Sequence, residues 1–318
     1  MPELEQHRSR PAVSLEAAMV ARRYYIDNRQ KSEIADEFGI SRFKVARLLD
    51  EARASGIVRI YVDMPSDVDL PLSERLARKF GIRRAIVVRT ADEDADSNAS
   101  ITGSAAAEYL ASIVGPDDVL GISWGRSLTY AVDAVGPLLS ADIVQLVGGV
   151  RDGEMDISGV ELVRRLSEKS GGRAFPLHAP LLVRTAAMAK DLREDPSLAE
   201  VIGRFSTLTV AAIGIGSWHP PKSSLFNEFN SDEREELLAL GAAADVCAIV
   251  LDSEGKRILS PAVERAVGIS LAELHRVPEV IAIAGGREKV AAIAAVLKSG
   301  VVNTLITDSL SASLLLED

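Results

Sequence analysis

Seven short apolar runs, each rich in Val, Ile or Leu, recur along most of this chain, and amphipathic stretches separate several of them. The runs are Ala85 to Val88, Val119 to Ser123, Ile143 to Val147, Leu208 to Ile213, Val246 to Leu251, Val280 to Ala284 and Thr304 to Thr307. Continuous runs of this length, unlike alternating ones, suit parallel strands buried on both faces. Between them, Ser104 to Ile113, Gly159 to Glu168 and Glu288 to Leu297 carry apolar residues at helical spacing. Alternating β and α segments predict a large Rossmann-like, doubly wound α/β domain, whose ligands bind at the carboxyl ends of its strands. Arg184 to Ser206 is expected as helices packed outside the sheet, and Leu72 to Phe80 as a helix leading into it.

The first 64 residues follow a different pattern, that of a small all-α helix-turn-helix domain. Ala17, Val20, Ala21 and Tyr24 mark one helix face, and Ile34, Ala35 and Phe38 a second. Gly39-Ile40-Ser41 then supplies a tight corner, with glycine free to take a positive φ and Ser41 placed as an N-cap. Val45, Leu48, Leu49 and Ala52 form the inward stripe of a third helix ending at Gly56. Arg42, Phe43, Lys44 and Arg47 are left at its outward N-terminal end. In a helix-turn-helix that end enters the major groove, where Arg pairs with guanine and Lys neutralises phosphate. Arg22, Arg23, Arg29 and Lys31 are candidates for backbone contacts. The plain alternative is a three-helix bundle with a solvated basic face. Ile57 to Asp63 reads as a short strand leading out, and Pro65 to Pro71 as the connection between domains 1–64 and 65–318.

Charge follows the same division. Residues 1–60 carry 11 Lys+Arg against 9 Asp+Glu, a net of +2, whereas 61–318 carry 25 against 37, a net of −12. DNA repels the acidic remainder, so the N-terminal module is the expected contact surface for double-stranded operator DNA. So small a positive charge implies weak binding by one copy, and hence an assembly that adds half-sites together. The single cysteine, Cys247, lies in an apolar run and is expected to be a buried thiol. No run of ~18 uncharged apolar residues occurs, so no membrane span is expected and the protein is placed in the cytoplasm.

Three strand ends carry candidate ligand groups. Gly121-Ile122-Ser123-Trp124-Gly125-Arg126-Ser127 closes a strand and opens a helix. There Gly125 admits an anion to the backbone, Ser127 offers a hydroxyl, Arg126 a charge and the helix its free N–H groups. Gln145 precedes Gly148 and Gly149 at a second strand end, as a sugar-facing amide or as a buried structural one. Gly285-Gly286-Arg287-Glu288-Lys289 forms the third, with Lys289 either closing on the same anion or solvated. Glycine and serine also serve βα turns for purely geometric reasons.

Nearly the whole chain resembles the SorC family of bacterial sugar-responsive transcription regulators. The resemblance runs from KSEIADEFGISRFKVARLLDEAR through GISWGRSL, VQLVGG, LHAPLLV and VAAIGIGS to PEVIAIAGGREKVAAIAAVLKSGVVNTLITDSLSASLLL. It implies a sensor domain with the fold of sugar-phosphate isomerases, a sugar, polyol or sugar-phosphate effector, and a homotetramer. It also places the phosphate turn on Gly125, Arg126 and Ser127, the sugar-facing amide on Gln145, basic partners on Arg265 and Lys289, and a hydroxyl-binding acid on Asp252. Two positions depart from the family pattern: Ser127 stands where Thr is frequent, and Val250 and Leu251 precede Asp252 in place of two aromatics.

The shared fold makes an isomerase with an N-terminal assembly module the alternative. Proton transfer over a sugar calls for a poised acid or base. Of His7, His178, His219 and His275, only His178, in Leu177-His178-Ala179-Pro180, is placed to face a ligand, as a hydrogen-bonding group; His219 sits in a loop suited to a lid. The four are scattered without metal-ligand spacing. Neither catalysis nor a cofactor is expected.

Overall fold

The computed structural model describes residues 14–59, 67–90, 95–138, 140–150 and 158–317, the stretch 95–97 in backbone only. The chain divides into two compact units after Ser66.

The first unit consists of α1 (Leu15–Tyr25), α2 (Lys31–Phe38) and α3 (Arg42–Ala54). Each start is capped: Ser14 accepts from the Ala17 amide, Gln30 and Glu33 form a capping box, and Ser41 accepts from the Lys44 amide at 3.2 Å. Gly39 ends α2 with φ 63°, a left-handed conformation that costs other residues about 1–2 kcal/mol. Ala17, Val20, Ile34, Val45, Leu48 and Leu49 close the core. The expected strand from Ile57 does not start there: the Val58 amide donates to Ala52 O and folds the chain back on α3, and residues 60–63 lie outside the described part.

In the second unit α4 (Leu70–Phe80) leads into β1 (Arg84–Val88), α5 (Ala95–Ile113), β2 (Val119–Ile122), α6 (Arg126–Ala134), β3 (Asp142–Gln145), α7 (Gly159–Ser170) and β4 (Ala174–Phe175). There follow α8 (Ala186–Glu194), α9 (Ala199–Arg204), β5 (Val210–Gly214), β6 (Gly216–Ser217), α10 (Ser224–Glu228), α11 (Ser231–Ala239), β7 (Ala242–Val246) and β8 (Ile249–Asp252). The chain closes with α12 (Leu271–Leu274), β9 (Glu279–Ile283), α13 (Val290–Lys298), β10 (Thr304–Asp308) and α14 (Ser309–Glu317).

Seven strands form one sheet in the order β1-β10-β9-β5-β2-β3-β4, all neighbours parallel. Successive residues point to opposite faces, and both faces are apolar. Leu120, Ile122, Ile143, Val210, Ala212 and Ile281 pack with α5, α6 and α7 on one side. Val87, Val144, Ala211, Ile213, Ala282 and Leu305 pack with α4, α13 and α14 on the other. From β2 the order grows through β3 to β4, and from β5 it grows the opposite way through β9 to β10, so the direction reverses between β2 and β5. A crevice opens at the carboxyl ends of two such strands.

One expected strand is divided. The run Val246 to Leu251 is not a member of the large sheet; it turns at Cys247 (φ 49°) and Ala248 (φ 62°), joining β7 to β8 in a separate antiparallel sheet with β6. Two-residue hairpin turns with positive φ normally announce themselves by Gly or Asn. Here Cys-Ala occupies the turn, so the apolar run reads as unbroken.

Candidate effector pocket and nucleic-acid interface

At the point of reversal, β2 and β5 are tied together just past their last paired residues. The Ser123 amide donates to Ala212 O, and the Ser123 hydroxyl accepts from the Gly214 amide at 3.2 Å. Trp124 then donates its indole N–H to the Ser224 hydroxyl at 2.9 Å, fastening the turn to α10. Gly125, at φ 146° and ψ 159°, adopts a conformation essentially restricted to glycine and stands as N-cap of α6 with no side chain to satisfy the first amides. Those N–H groups and the positive end of α6 face the crevice mouth beside exposed Arg126 and half-buried Ser127. An uncapped helix start with an adjacent guanidinium suits an oxyanion.

Lys289 reaches the same place from the turn after β9. Its ammonium donates to Ile215 O at 2.7 Å, in the segment between β5 and β6. Burial and the nearby Arg126 guanidinium push it down to about 8, against the opposing pull of the Asp245 carboxylate. Asp245, from β7, is buried and accepts from the Trp218 indole at 3.0 Å and from the Ser223 hydroxyl; burial raises its carboxyl above the usual range. A methyl on Gly216 would collide with the Asp245 carboxylate and lie 2.6 Å from the Ser223 hydroxyl, so only glycine fits under this acid. The Cys247 thiol hydrogen-bonds Ser123, and burial, reinforced by Asp245, pushes it up to about 12, an inert thiol as its apolar run implied. These strand ends therefore bring together two cations, a helix start and one buried acid, a set that complements an anion joined to hydroxyl groups.

Other expected residues are occupied elsewhere. Gln145 gives one amide N–H to Val147 O at 2.7 Å and accepts from the Leu177 amide at 3.0 Å, so both ends of its buried side chain pin backbone. Gly148 and Gly149 donate their amides to Val267 O and Ala179 O, each at 2.9 Å. Gly148 is a glycine for close packing, since a methyl there would lie 2.5 Å from Pro180 O, whereas a methyl on Gly149 would meet nothing within 4 Å. Arg265 lies 2.8 Å from Glu233 as an ion pair and donates its Nε–H to Ala262 O, while its buried Nη2 makes no hydrogen bond. His178 is exposed beyond the edge strand β4. Asp252 caps its own turn, accepting from the Glu254 and Lys256 amides at 2.9 Å. It pairs with Ala242, at the opposite end of the hairpin from Asp245. The acid beside Lys289 is thus Asp245, a residue outside the candidates read from the sequence. Its signal was an ionisable residue inside the apolar run Ala242-Ala243-Ala244-Asp245-Val246-Cys247, seven residues before the acid chosen on resemblance.

The glycine turn after β9 is held from below: the Gly286 amide donates to Asp308 Oδ2 at 2.7 Å, and Asp308 also accepts from the Ser311 amide and hydroxyl. This links the Gly-Gly turn to the closing Leu305-Ile306-Thr307-Asp308 segment and fixes where Lys289 leaves the sheet.

In the helical unit, Arg42, Phe43 and Arg47 are exposed at the start of α3. The Lys44 ammonium pairs with Glu16 of α1 at 2.7 Å, a partly exposed contact that leaves two of its N–H groups for phosphate. Lys31 lies over the Tyr24 ring at 5.6 Å, and Arg23 bridges Asp27 and Glu37, whereas Arg22 and Arg29 are exposed. Among the described residues no group of three or more His, Cys, Asp or Glu is placed to hold a metal ion, and no helix is long and apolar enough to cross a membrane.

Residues 66–317 match the family described as "Putative sugar-binding domain". The chain belongs to the SorC family of sugar-binding regulators. Within this family it is 28% identical to the transcriptional regulator LsrR of Escherichia coli K12, over 95% of this chain and 94% of that protein. It is 27% identical to the deoxyribonucleoside regulator of Bacillus subtilis, over 98% and 99%. The full-length sorbitol operon regulator SorC of Klebsiella pneumoniae superposes with a TM-score of 0.73 at 25% identity, covering 94% of this chain and 97% of that one. These SorC-family relatives are regulators and not isomerases, so the enzyme alternative falls away.

Proposed function

We propose that this protein is a cytoplasmic transcription regulator that binds double-stranded operator DNA through its helical unit and a phosphorylated sugar through its larger unit, as a homo-oligomer, with four copies the expected number. The observation that carries the sensor half is the meeting of Lys289, Arg126 and the uncapped start of α6 at the point where strand order reverses, with buried Asp245 beside them. The cations and helix N–H groups suit the phosphate; the carboxylate of Asp245 suits sugar hydroxyls. Arg42 and Arg47 are the guanidinium groups that α3 presents to base edges, and among the described residues Arg22 and Arg29 have no ion pair of the kind that holds Arg23 and Lys44.

Regulation then follows from a differential preference. An effector that favours one arrangement of the subunits by about 1–3 kcal/mol changes operator affinity about 5- to 150-fold. The direct test is a melting-temperature screen against sugars, polyols and their phosphates, because a ligand at ~100 times its Kd stabilises by about 2.7 kcal/mol. Stabilisation by phosphates, lost in Lys289→Met, is the expected result. Stabilisation by free sugars alone would remove the phosphate assignment. Binding of promoter DNA that falls steeply with salt and discriminates against random sequence tests the other half, and equal binding of both would remove it.

A further inference from the structure

Phe43 is 89% exposed, the most exposed of the large apolar side chains among the described residues. It is the second residue of α3, in a turn fixed by the Ser41 cap. The module's core closes without it, through Ala17, Val20, Ile34, Val45, Leu48 and Leu49. Phe38, an aromatic of the same module, does pack against that core. Folding therefore gives no reason for a phenyl ring at position 43, where a charged side chain would be better solvated and a better helix former.

Its neighbours say what the ring meets. Phe43 and Arg47 are four residues apart and so share one face of α3, and Arg42 is exposed beside them. On the reading of this module as a helix-turn-helix, on which the inference rests, this face lies against base edges in the major groove. A phenyl ring neither donates nor accepts a conventional hydrogen bond, so it is silent towards phosphate and towards the polar edges of guanine, cytosine and adenine. The one apolar feature on the floor of the major groove is the C5-methyl group of thymine. We propose that Phe43 is a specificity-determining residue that recognises a thymine methyl group in each half-site, next to the base pair read by Arg47.

The test uses the full chain. Duplexes retained by the protein from a random pool define its site, and each thymine of that site is then replaced singly by deoxyuridine, which pairs identically and lacks the methyl. The expected result is one position per half-site at which deoxyuridine weakens binding by about fourfold, the value of one buried methyl-sized group. Phe43→Ala should bind the thymine duplex more weakly and be indifferent to deoxyuridine at that position. Phe43→Leu should keep part of the discrimination, and Arg47→Ala should lose affinity while keeping the deoxyuridine penalty. Indifference of the unaltered protein to every replacement, or a penalty that persists in Phe43→Ala, would overturn the assignment. A pool that yields no preferred sequence would instead remove the DNA reading of the module, and the role of Phe43 with it. Because the ring is outside the core, unchanged helical circular dichroism in both Phe43 variants is expected.

Discussion

The Lys289 ammonium lies 2.7 Å from the carbonyl oxygen of Ile215, a contact that joins the turn after β9 to the exit of its neighbour β5. Held there by burial and faced by Arg126, the lysine loses its proton near pH 8. The unfolded chain keeps that proton up to the ordinary lysine range, so between about pH 8 and that range the unfolded state binds more protons. Stability of the free protein from this group therefore rises with pH across that window, and below it the charged, buried ammonium is a standing cost. An anionic effector requires the opposite state. Phosphosugar affinity should be full at pH 7 and fall as pH rises through about 8, and titration calorimetry across pH 6.5 to 9.5 reads this directly. Lys289→Met should remove the pH dependence and about 10- to 150-fold of the affinity, the range for a hydrogen bond to a charged group. A dependence that survives in Lys289→Met would assign the titration to another group.

Asp245 and Asp252 make opposite predictions although both belong to one hairpin. Asp245→Asn keeps the shape and an acceptor for the Trp218 indole but removes the charge from the crevice, and should weaken effector binding by about tenfold. Asp252→Asn touches only the turn formed by Glu254 and Lys256, and should leave effector affinity unchanged while costing under about 1 kcal/mol in stability. A loss from Asp252→Asn with none from Asp245→Asn would show that the far end of the hairpin, not its tip, faces the ligand.

Ala248 holds φ 62° at the tip of that hairpin, beside Cys247 at φ 49°. Glycine takes this conformation without the Cβ clash that costs other residues about 1–2 kcal/mol. Ala248→Gly relieves that clash but uncovers one buried methyl, about 0.8 kcal/mol, and adds glycine's chain entropy, so stability read by urea denaturation is expected to change by under about 1 kcal/mol. A lower midpoint would mean that the methyl's packing outweighs the relieved strain.

These contrasts explain what the sequence disclosed and what it withheld. Strands buried on both faces must be apolar throughout, so β2, β3, β5, β9 and β10 stood out as Val- and Ile-rich runs, and Gly39 with Ser41 announced the corner between α2 and α3. The two-residue strands β4 and β6 are too short to carry any periodicity. The turn at Cys247 and Ala248 has no glycine to mark it, which hid the hairpin and so hid Asp245. The nature of Gln145, Gly148 and Gly149 was open for a different reason. A glycine or amide at a strand end serves a ligand or the neighbouring backbone equally well, and only the partners found in space, Val147, Leu177, Val267 and Ala179, distinguish the two. The pairing of Lys44 with Glu16 was hidden in the sequence because the two are 28 residues apart.

Leu48 offers a test of whether the two units are energetically separate. Its side chain is 4% exposed within the core of the helical unit, and that core shares no residue with the clusters of the larger unit. Leu48→Ala should cost the module about 2–5 kcal/mol. Small domains have little stability in reserve, so a loss of this size is a large part of the total. The expected outcome is a separate, early unfolding step by circular dichroism and loss of DNA binding, while the effector still raises the melting temperature of the main transition. Simultaneous loss of effector binding would show that the sensor depends on a folded helical unit, and that the allosteric coupling runs through the folding of the module.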